Sequence, residues 1–277
     1  MRAAHTRLDH PVLIDDTWGE RLVLAEEREE REELRARAGA EDVDAVLRAH
    51  PSYGMVILRA RYAEDVLAQA VGRGVSQYVI IGAGMDSFAL RRPPFARELE
   101  IFELDHPSTQ ELKKARLSLC GVPAPAGLHL VAVDLSETAL GDALASSSFH
   151  DDRPAFFSWL GVTTYLTREA NLATLEAIAS SAGAGSELVF SYLDQRLLDS
   201  DEASEPMQRA RAQVASLGEP WVSGFHPEQL AADLRGAGLE IVEDLGPEGL
   251  AARYCVGRTD GLTSSPGSHV AHARVPA

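Results

Sequence analysis

The sequence predicts an α/β protein, an open and mostly parallel sheet with helices on both faces, preceded by a helical N-terminal segment. Three observations carry this expectation. Short β-rich runs at 77–81, 100–104, 128–133, 155–159 and 188–192 alternate with helix candidates near 107–120, 136–146, 168–182 and 206–217; such alternation lays successive strands side by side in one direction. The first run, Tyr78-Val79-Ile80-Ile81, passes straight into Gly82-Ala83-Gly84, and sheets of this kind collect ligands at strand carboxyl ends. With 277 residues, 45% of them hydrophobic, the chain can bury one substantial core.

Residues 1–75 read as a helical cap or lid. The run 26–37 is dense in Glu, Arg and Ala, with Glu27–Arg31 and Glu33–Arg37 one helical turn apart, the mark of a solvated helix face. A second helix is expected over 55–71, with Val56, Ile57, Ala60, Ala63, Val66, Leu67 and Ala70 on one side. Residues 76–258 hold the alternating core. Near its end 227–237 reads as a helix, and 240–244 and 251–256 read as a final antiparallel strand pair linked through Gly246-Pro247-Glu248-Gly249. Residues 259–277, rich in Ser, Gly, Pro, His and Ala, show no period and are expected to be a disordered tail.

Composition narrows the function. A formal net charge of −16, from 42 acidic and 26 basic residues, repels nucleic acid at long range. No apolar stretch reaches the ~20 residues that span a bilayer, and Asp9, Asp15 and Asp16 stand where a signal peptide would be apolar. Cys120 and Cys255 provide neither a disulfide framework nor metal-ligand spacing. The expectation is a cytoplasmic protein acting on a small molecule, with no metal, nucleic-acid or membrane partner; the residues leave the oligomeric state open.

Glycines at a strand end let a ligand approach the backbone where a Cβ would clash. About twenty residues further on, Glu100-Ile101-Phe102-Glu103-Leu104-Asp105 ends in acids. A carboxylate there accepts hydrogen bonds from a ribose diol. Glu103 and Asp105 share a face of the strand, so one can face the ribose while the other supports it. A dinucleotide site wants a third glycine where this chain has Ser87, beside Asp86. Asp86 would repel a pyrophosphate at the helix N-terminus, whereas the sulfonium of S-adenosylmethionine carries no phosphate. The strand at 128–133 ends at Asp134-Leu135, suited to an adenine amino group and ring, although Asp134 and Ser136 are also good helix caps.

Arg61-Tyr62-Ala63-Glu64-Asp65, Ile81-Gly82-Ala83-Gly84-Met85-Asp86-Ser87, Phe102-Glu103-Leu104-Asp105-His106-Pro107, Val133-Asp134-Leu135 and Tyr165-Leu166-Thr167 occur in an order and spacing that resemble the leucine carboxyl methyltransferase-like family, in particular its bacterial small-molecule O-methyltransferases. The resemblance spans about residues 2–258. It implies a class I methyltransferase fold, Rossmann-like, with a seven-stranded sheet and an antiparallel C-terminal strand, and S-adenosyl-L-methionine as cofactor. By the same resemblance Gly82 would lie against the cofactor's amino acid end, Asp105 would hold the ribose, and Asp134 and Leu135 the adenine. Arg59, or its neighbour Arg61, would pair with the cofactor's carboxylate, and Arg2 or Arg7 would supply a related N-terminal cation. One departure stands out: family members often carry a glutamate where this chain has Leu160.

Methyl transfer needs donor and nucleophile aligned in a dry pocket. A carboxylate acceptor is already ionised, while an alcohol or phenol needs a proton acceptor. Tyr165 and His226 are the candidates for catalysis, with Trp221 and Phe225 as pocket walls and His5 and His10 as parts of a lid; His106 reads as structural. The expected cofactor site comprises Arg59, Gly82, Ala83, Gly84, Asp86, Glu103, Asp105, Asp134 and Leu135. The expected reaction is O-methylation of a carboxylate or hydroxyl on a small metabolite. The competing readings are a nicotinamide-dependent oxidoreductase and a non-catalytic cofactor-binding module.

Overall fold

A computed structural model describes residues 1–22, 33, 43–199 and 220–276. Seven strands form one sheet: β1 (Gln77–Ile81), β2 (Glu100–Asp105), β3 (Leu128–Ala132), β4 (Ala155–Trp159), β5 (Glu187–Leu193), β6 (Glu240–Leu245) and β7 (Ser268–Arg274). Their spatial order is β3-β2-β1-β4-β5-β7-β6. The pairs among β1 to β5 are parallel, and β7 runs antiparallel to both β5 and β6. The mostly parallel sheet with an antiparallel C-terminal strand is thus as expected. The chain steps outward from β1 to β3 and then returns to place β4 on the other side of β1. The topological switch point therefore falls between the carboxyl ends of β1 and β4.

Among the described residues four helices precede β1: α1 (Arg2–Leu8), α2 (Trp18–Arg21), α3 (Val43–Ala49) and α4 (Tyr53–Gly72). The helix α4 has no proline and only one glycine before its last residue. It stops where Gly74 takes a φ of +103° and the Val75 N–H returns to the Ala70 carbonyl at 3.1 Å. Its buried face, including Ile57, Leu58, Tyr62 and Leu67, packs on one side of the sheet with Tyr78, Ile80, Val189 and Val270. Val79 and Ile81 point the other way, toward Leu175 and Ile178 of α8 (Arg168–Ser181). Both faces of β1 are covered, which is why its sequence is apolar throughout. Leu58 has no exposed surface, so Leu58→Ala would cost about 2–5 kcal/mol. The remaining helices among the described residues are α5 (Phe88–Arg91), α6 (Pro107–Leu119), α7 (Leu140–Ala145), α9 (Arg196–Asp199), α10 (Leu230–Gly236) and α11 (Pro247–Tyr254).

Three expectations are corrected. Residues 268–274, placed in a disordered tail, form β7 in the interior of the sheet, with Val270, Ala271 and Ala273 fully buried. The run looked like a tail because its apolar residues are small and it carries two histidines. In the fold His272 meets the Glu187 carboxylate at 2.8 Å, and His269 stacks on Tyr192. Residues 251–256, expected as a strand, belong largely to α11; Pro247 at its first turn and Glu248 behind it favour a helix start. The boundary at residue 75 divides one continuous apolar cluster, since α4 is a layer of the core rather than part of a separate cap. The helix candidate at 206–217 and most of the charged run at 26–37 lie outside the described residues.

Candidate active site

The backbone leaving β1 extends its pairing with β2 by one step, because the Gly82 and Ala83 N–H groups both reach the Leu104 carbonyl, at 2.9 and 3.1 Å. Gly82 and Gly84 then take φ values of +66° and +52°, which glycine adopts without a Cβ penalty. The two differ in surroundings. A Cβ on Gly82 would stand 2.5 Å from Val162 Cγ2, whereas one on Gly84 would meet nothing within 4 Å. Gly82 is needed for close packing, and Gly84 borders open space.

Asp105, half-buried at the end of β2, faces this turn. Its carboxylate accepts from the Gly84 N–H and, at 2.7 Å, from the His106 N–H. Asp134 and Leu135 stand at the next strand end; the Asp134 carboxylate accepts from the Ser136 N–H and hydroxyl and lies 3.6 Å from His106 Nε2. Leu135 is 39% exposed, available to an apolar ligand face. The turn and these two strand ends bring Gly82, Ala83, Gly84, Asp105, Asp134 and Leu135 together along one edge of the sheet.

Glu103 is corrected from a ligand-facing group to a supporting one. It is fully buried and ion-paired with Lys113 of α6, whose ammonium also donates to the Asp86 carbonyl at 2.8 Å. Burial lifts the Glu103 carboxyl to about 7, against the pull of Lys113. Lys113, which the sequence did not single out, thus ties β2 to the glycine turn. Asp86 is likewise committed within the protein: its carboxylate accepts from the Phe88 N–H at 2.7 Å and from Arg2 at 3.0 Å. Burial works to raise its pKa, but Arg2, Lys113 and the Phe88 N–H outweigh it and hold the group at about 2.

Arg2 also pairs with Asp16 at 2.8 Å and donates to the Ser87 hydroxyl, so α1 is clipped over the turn. The expected lid histidines do not face this cleft. His5 is fully buried; its Nε2 accepts from the Leu13 N–H and its Nδ1 donates to Asp9, which also accepts from Tyr53. His10 is exposed, and its N–H donates to Asp260. The two helix arginines point to different places. Arg61 turns away to Asp65 and the Leu13 carbonyl, while Arg59 points into the cleft.

Two cavities meet at Arg59. One is bounded by the glycine turn, Asp86, Arg2 and Leu160. The other is bounded by Met55, Gly161, Tyr165, Tyr192, Trp221 and the segment around Ser265. Among the described residues no carboxylate lies within ion-pairing distance of Arg59 and no hydrogen bond leaves its guanidinium; its titratable neighbours are Arg2, Tyr165 and Asp86. Burial, reinforced by Arg2, lowers its pKa to about 10. A desolvated cation without a counter-charge is costly, so this is where an anionic ligand group gains most.

Tyr165 is 39% exposed on the wall of the second cavity, with Trp221 nearby. Phe225 is instead a core residue, edge-on to Phe190 and Tyr192. His226 is not brought to Tyr165: it lines a different, polar cleft with Arg168, Asp199 and Gln229. Its position just before Pro227 puts it at the entry to α10, where its carbonyl accepts from the Gln229 and Leu230 N–H groups.

Comparisons with known proteins agree with this architecture. The family model described as leucine carboxyl methyltransferase matches residues 1–179. A protein of Bacillus subtilis (strain 168), provisionally named S-adenosyl-L-methionine-dependent methyltransferase YktD, is 32% identical over 98% of this chain and 94% of its own length. A similarly named protein of Mycolicibacterium smegmatis is 31% identical over 72% of this chain and 65% of its own length. Among solved structures, a provisionally named methyltransferase of Thermobifida fusca YX superposes with a TM-score of 0.55 at 18% identity, covering 85% of this chain and 89% of that one.

Proposed function

We propose a function for a chain that belongs to the leucine carboxyl methyltransferase family and is an S-adenosylmethionine-dependent methyltransferase: it methylates an oxygen of a small molecule, with a carboxylate as the preferred acceptor. The observation that carries this reading is the Arg59 guanidinium, without a carboxylate partner among the described residues and shared by the two cavities. The cofactor supplies a methyl group on a cationic sulfur, activated toward a nucleophile. The residues present suit it: the Asp105 carboxylate can accept from its ribose, two glycines admit it against backbone, and Arg59, which has no carboxylate partner among the described residues, offers a cation to its amino acid end.

Asp105 accepts from the ribose hydroxyls, and Asp134 and Leu135 receive the adenine. Gly82, Ala83 and Gly84 let the ligand lie against backbone. Asp86 acts through Arg2, holding α1 over the cavity and excluding water. Leu160 provides an apolar wall where relatives often have an acid, so the positive charge of Arg59 remains available to the cofactor's carboxylate.

On the acceptor side the titratable groups on the cavity wall, among the described residues, are Arg59, Tyr165 and Tyr192. Tyr192 donates to Asp244 at 2.7 Å, and burial followed by Asp244 pushes its phenol above the ordinary range, which removes it as a proton acceptor. A carboxylate needs none. It is ionised at neutral pH, drawn toward Arg59, and oriented by the Tyr165 hydroxyl against the Trp221 ring. A hydroxylated acceptor is the second reading, favoured by the exposure of Tyr165, which as a phenolate would take the proton and return to the neutral phenol.

The test is incubation with S-adenosylmethionine and a panel of small aromatic and aliphatic acids, phenols, alcohols and amines, read by mass spectrometry. Alkali-labile methyl esters are the expected products and alkali-stable ethers support the second reading. Methylation confined to amines would overturn both.

A further inference from the structure

We propose that Gly161 is a positioning residue whose bare Cα is the seat of the Arg59 guanidinium. The inference rests on the reading of Arg59 as the group that holds the cofactor's carboxylate. Gly161 follows β4 and Leu160 at the topological switch point, with a φ of +76°. A methyl group built on it would stand 2.7 Å from both Cζ and Nη1 of Arg59, and closer still to Nη2. The guanidinium therefore lies flat on the glycine, in space that any side chain would fill. The glycine itself is fixed, because its N–H donates to the Ser191 hydroxyl at 2.9 Å.

Something must hold this arginine in place. A long side chain has many rotamers to lose, and a cation at such a junction is ordinarily held by a carboxylate that shares its charge. Here Leu160 offers no charge, Asp86 is spent on Arg2 and the Phe88 N–H, and Asp65 is taken by Arg61. Shape does what charge does not. The flat face of Gly161 fixes the guanidinium plane while leaving its N–H groups free for a ligand. Lowered pKa agrees with a cation held by packing in a desolvated place rather than by an ion pair. Because the same guanidinium borders both cavities, its seat also sets its distance from Tyr165 and the acceptor.

The test measures S-adenosylhomocysteine affinity by calorimetry in the full chain, with thermal melts alongside. Gly161→Ala should weaken binding at least about tenfold, and Arg59→Met at least as much. In the Arg59→Met background Gly161→Ala should add less than about twofold, since there is no guanidinium left to displace. Gly185 controls for backbone strain: its φ is +81° and a Cβ there meets nothing, so Gly185→Ala should lower the melting temperature and leave affinity unchanged. Arg59→Lys, which keeps the charge but cannot spread on the glycine, should bind nearly as weakly as Arg59→Met. It also decides the matter should Gly161→Ala fail to fold.

Wild-type affinity in Gly161→Ala or in Arg59→Lys, with Arg59→Met weak, overturns the seat and leaves the role of Arg59 standing. The same tenfold loss from Gly161→Ala in both backgrounds also overturns it, marking a turn requirement alone. Unchanged affinity in Arg59→Met removes the functional reading of Arg59 and the seat with it.

Discussion

On the cofactor side of Arg59 the polar groups come from three neighbouring strand ends, Gly82 to Gly84, Asp105 and Asp134, each within a short stretch of distinctive sequence. On the acceptor side the wall is made of single residues from separate segments: Met55, Gly161, Tyr165, Tyr192, Trp221 and Ser265. The first arrangement follows from strand direction alone, since parallel strands bring their carboxyl ends to one edge. The second exists only after the core has packed. Much of it lies beyond residue 179, where the family match ends. A cofactor shared by a family and an acceptor peculiar to one member would place their contacts in this way.

The comparison is most severely broken from beneath the cofactor side. Lys113→Met leaves Glu103 buried without its cation and should destabilise the fold by about 3 kcal/mol or more, the usual cost of breaking a buried pair. The pH dependence has a definite sign. Glu103 keeps its proton in the folded state up to about 7, against 4.5 unfolded, so its carboxyl favours folding below 4.5 and loses that contribution as the pH rises toward 7. Without Lys113 the folded-state value rises further, and the penalty continues to accumulate above 7. Urea melts of the variant and the wild type should differ more at pH 8 than at pH 5. A constant difference would show that Lys113 acts through packing.

Next in size is Asp105→Ala. Losing two charge-assisted hydrogen bonds to a ribose, each worth about 1.5–3 kcal/mol, should weaken S-adenosylhomocysteine at least about a hundredfold. The side chain also holds the Gly84 and His106 N–H groups, so the thermal melt should fall by a few degrees while the fold persists. Unchanged affinity would remove Asp105 from the ribose site and make the strand-end pattern a structural one. Trp221→Ala tests the other side. It should raise the KM for the acceptor about tenfold while leaving S-adenosylhomocysteine affinity within twofold. Equal damage to both ligands would mean that the two sides are not separable.

The same contrast explains what the sequence made legible. Strand-helix alternation identified β1 to β5, and the glycines, Asp105 and Asp134 do come together along one edge of the sheet. Glu103 was placed on the correct strand face, yet its burial depends on Lys113 arriving from the next helix, and no spacing rule marks that partner. β7 escaped because its two histidines find Glu187 and Asp244 only across the sheet. Gly161 escaped for the same reason. Its value lies in what rests on it, a side chain more than a hundred positions away.

His226 should show the smallest effect, and its smallness is the point. A histidine before a helix, beside an aromatic loop, looked like a base for the acceptor. Its ring lies 4.0 Å from Asp199 and 3.9 Å from Glu228, in a cleft that shares no wall residue with the Arg59 cavities. A base must come within about 2.6–3.2 Å of the proton it removes, directly or through one water, and His226 lines neither cavity at Arg59. His226→Ala should therefore change kcat/KM by less than about twofold, which is within 0.5 kcal/mol. A loss of a hundredfold or more, with affinity for S-adenosylhomocysteine intact, would relocate the acceptor to the cleft near α10. The acceptor side would then be built from a strand-flanking motif after all, and the contrast between the two halves of the cleft would disappear.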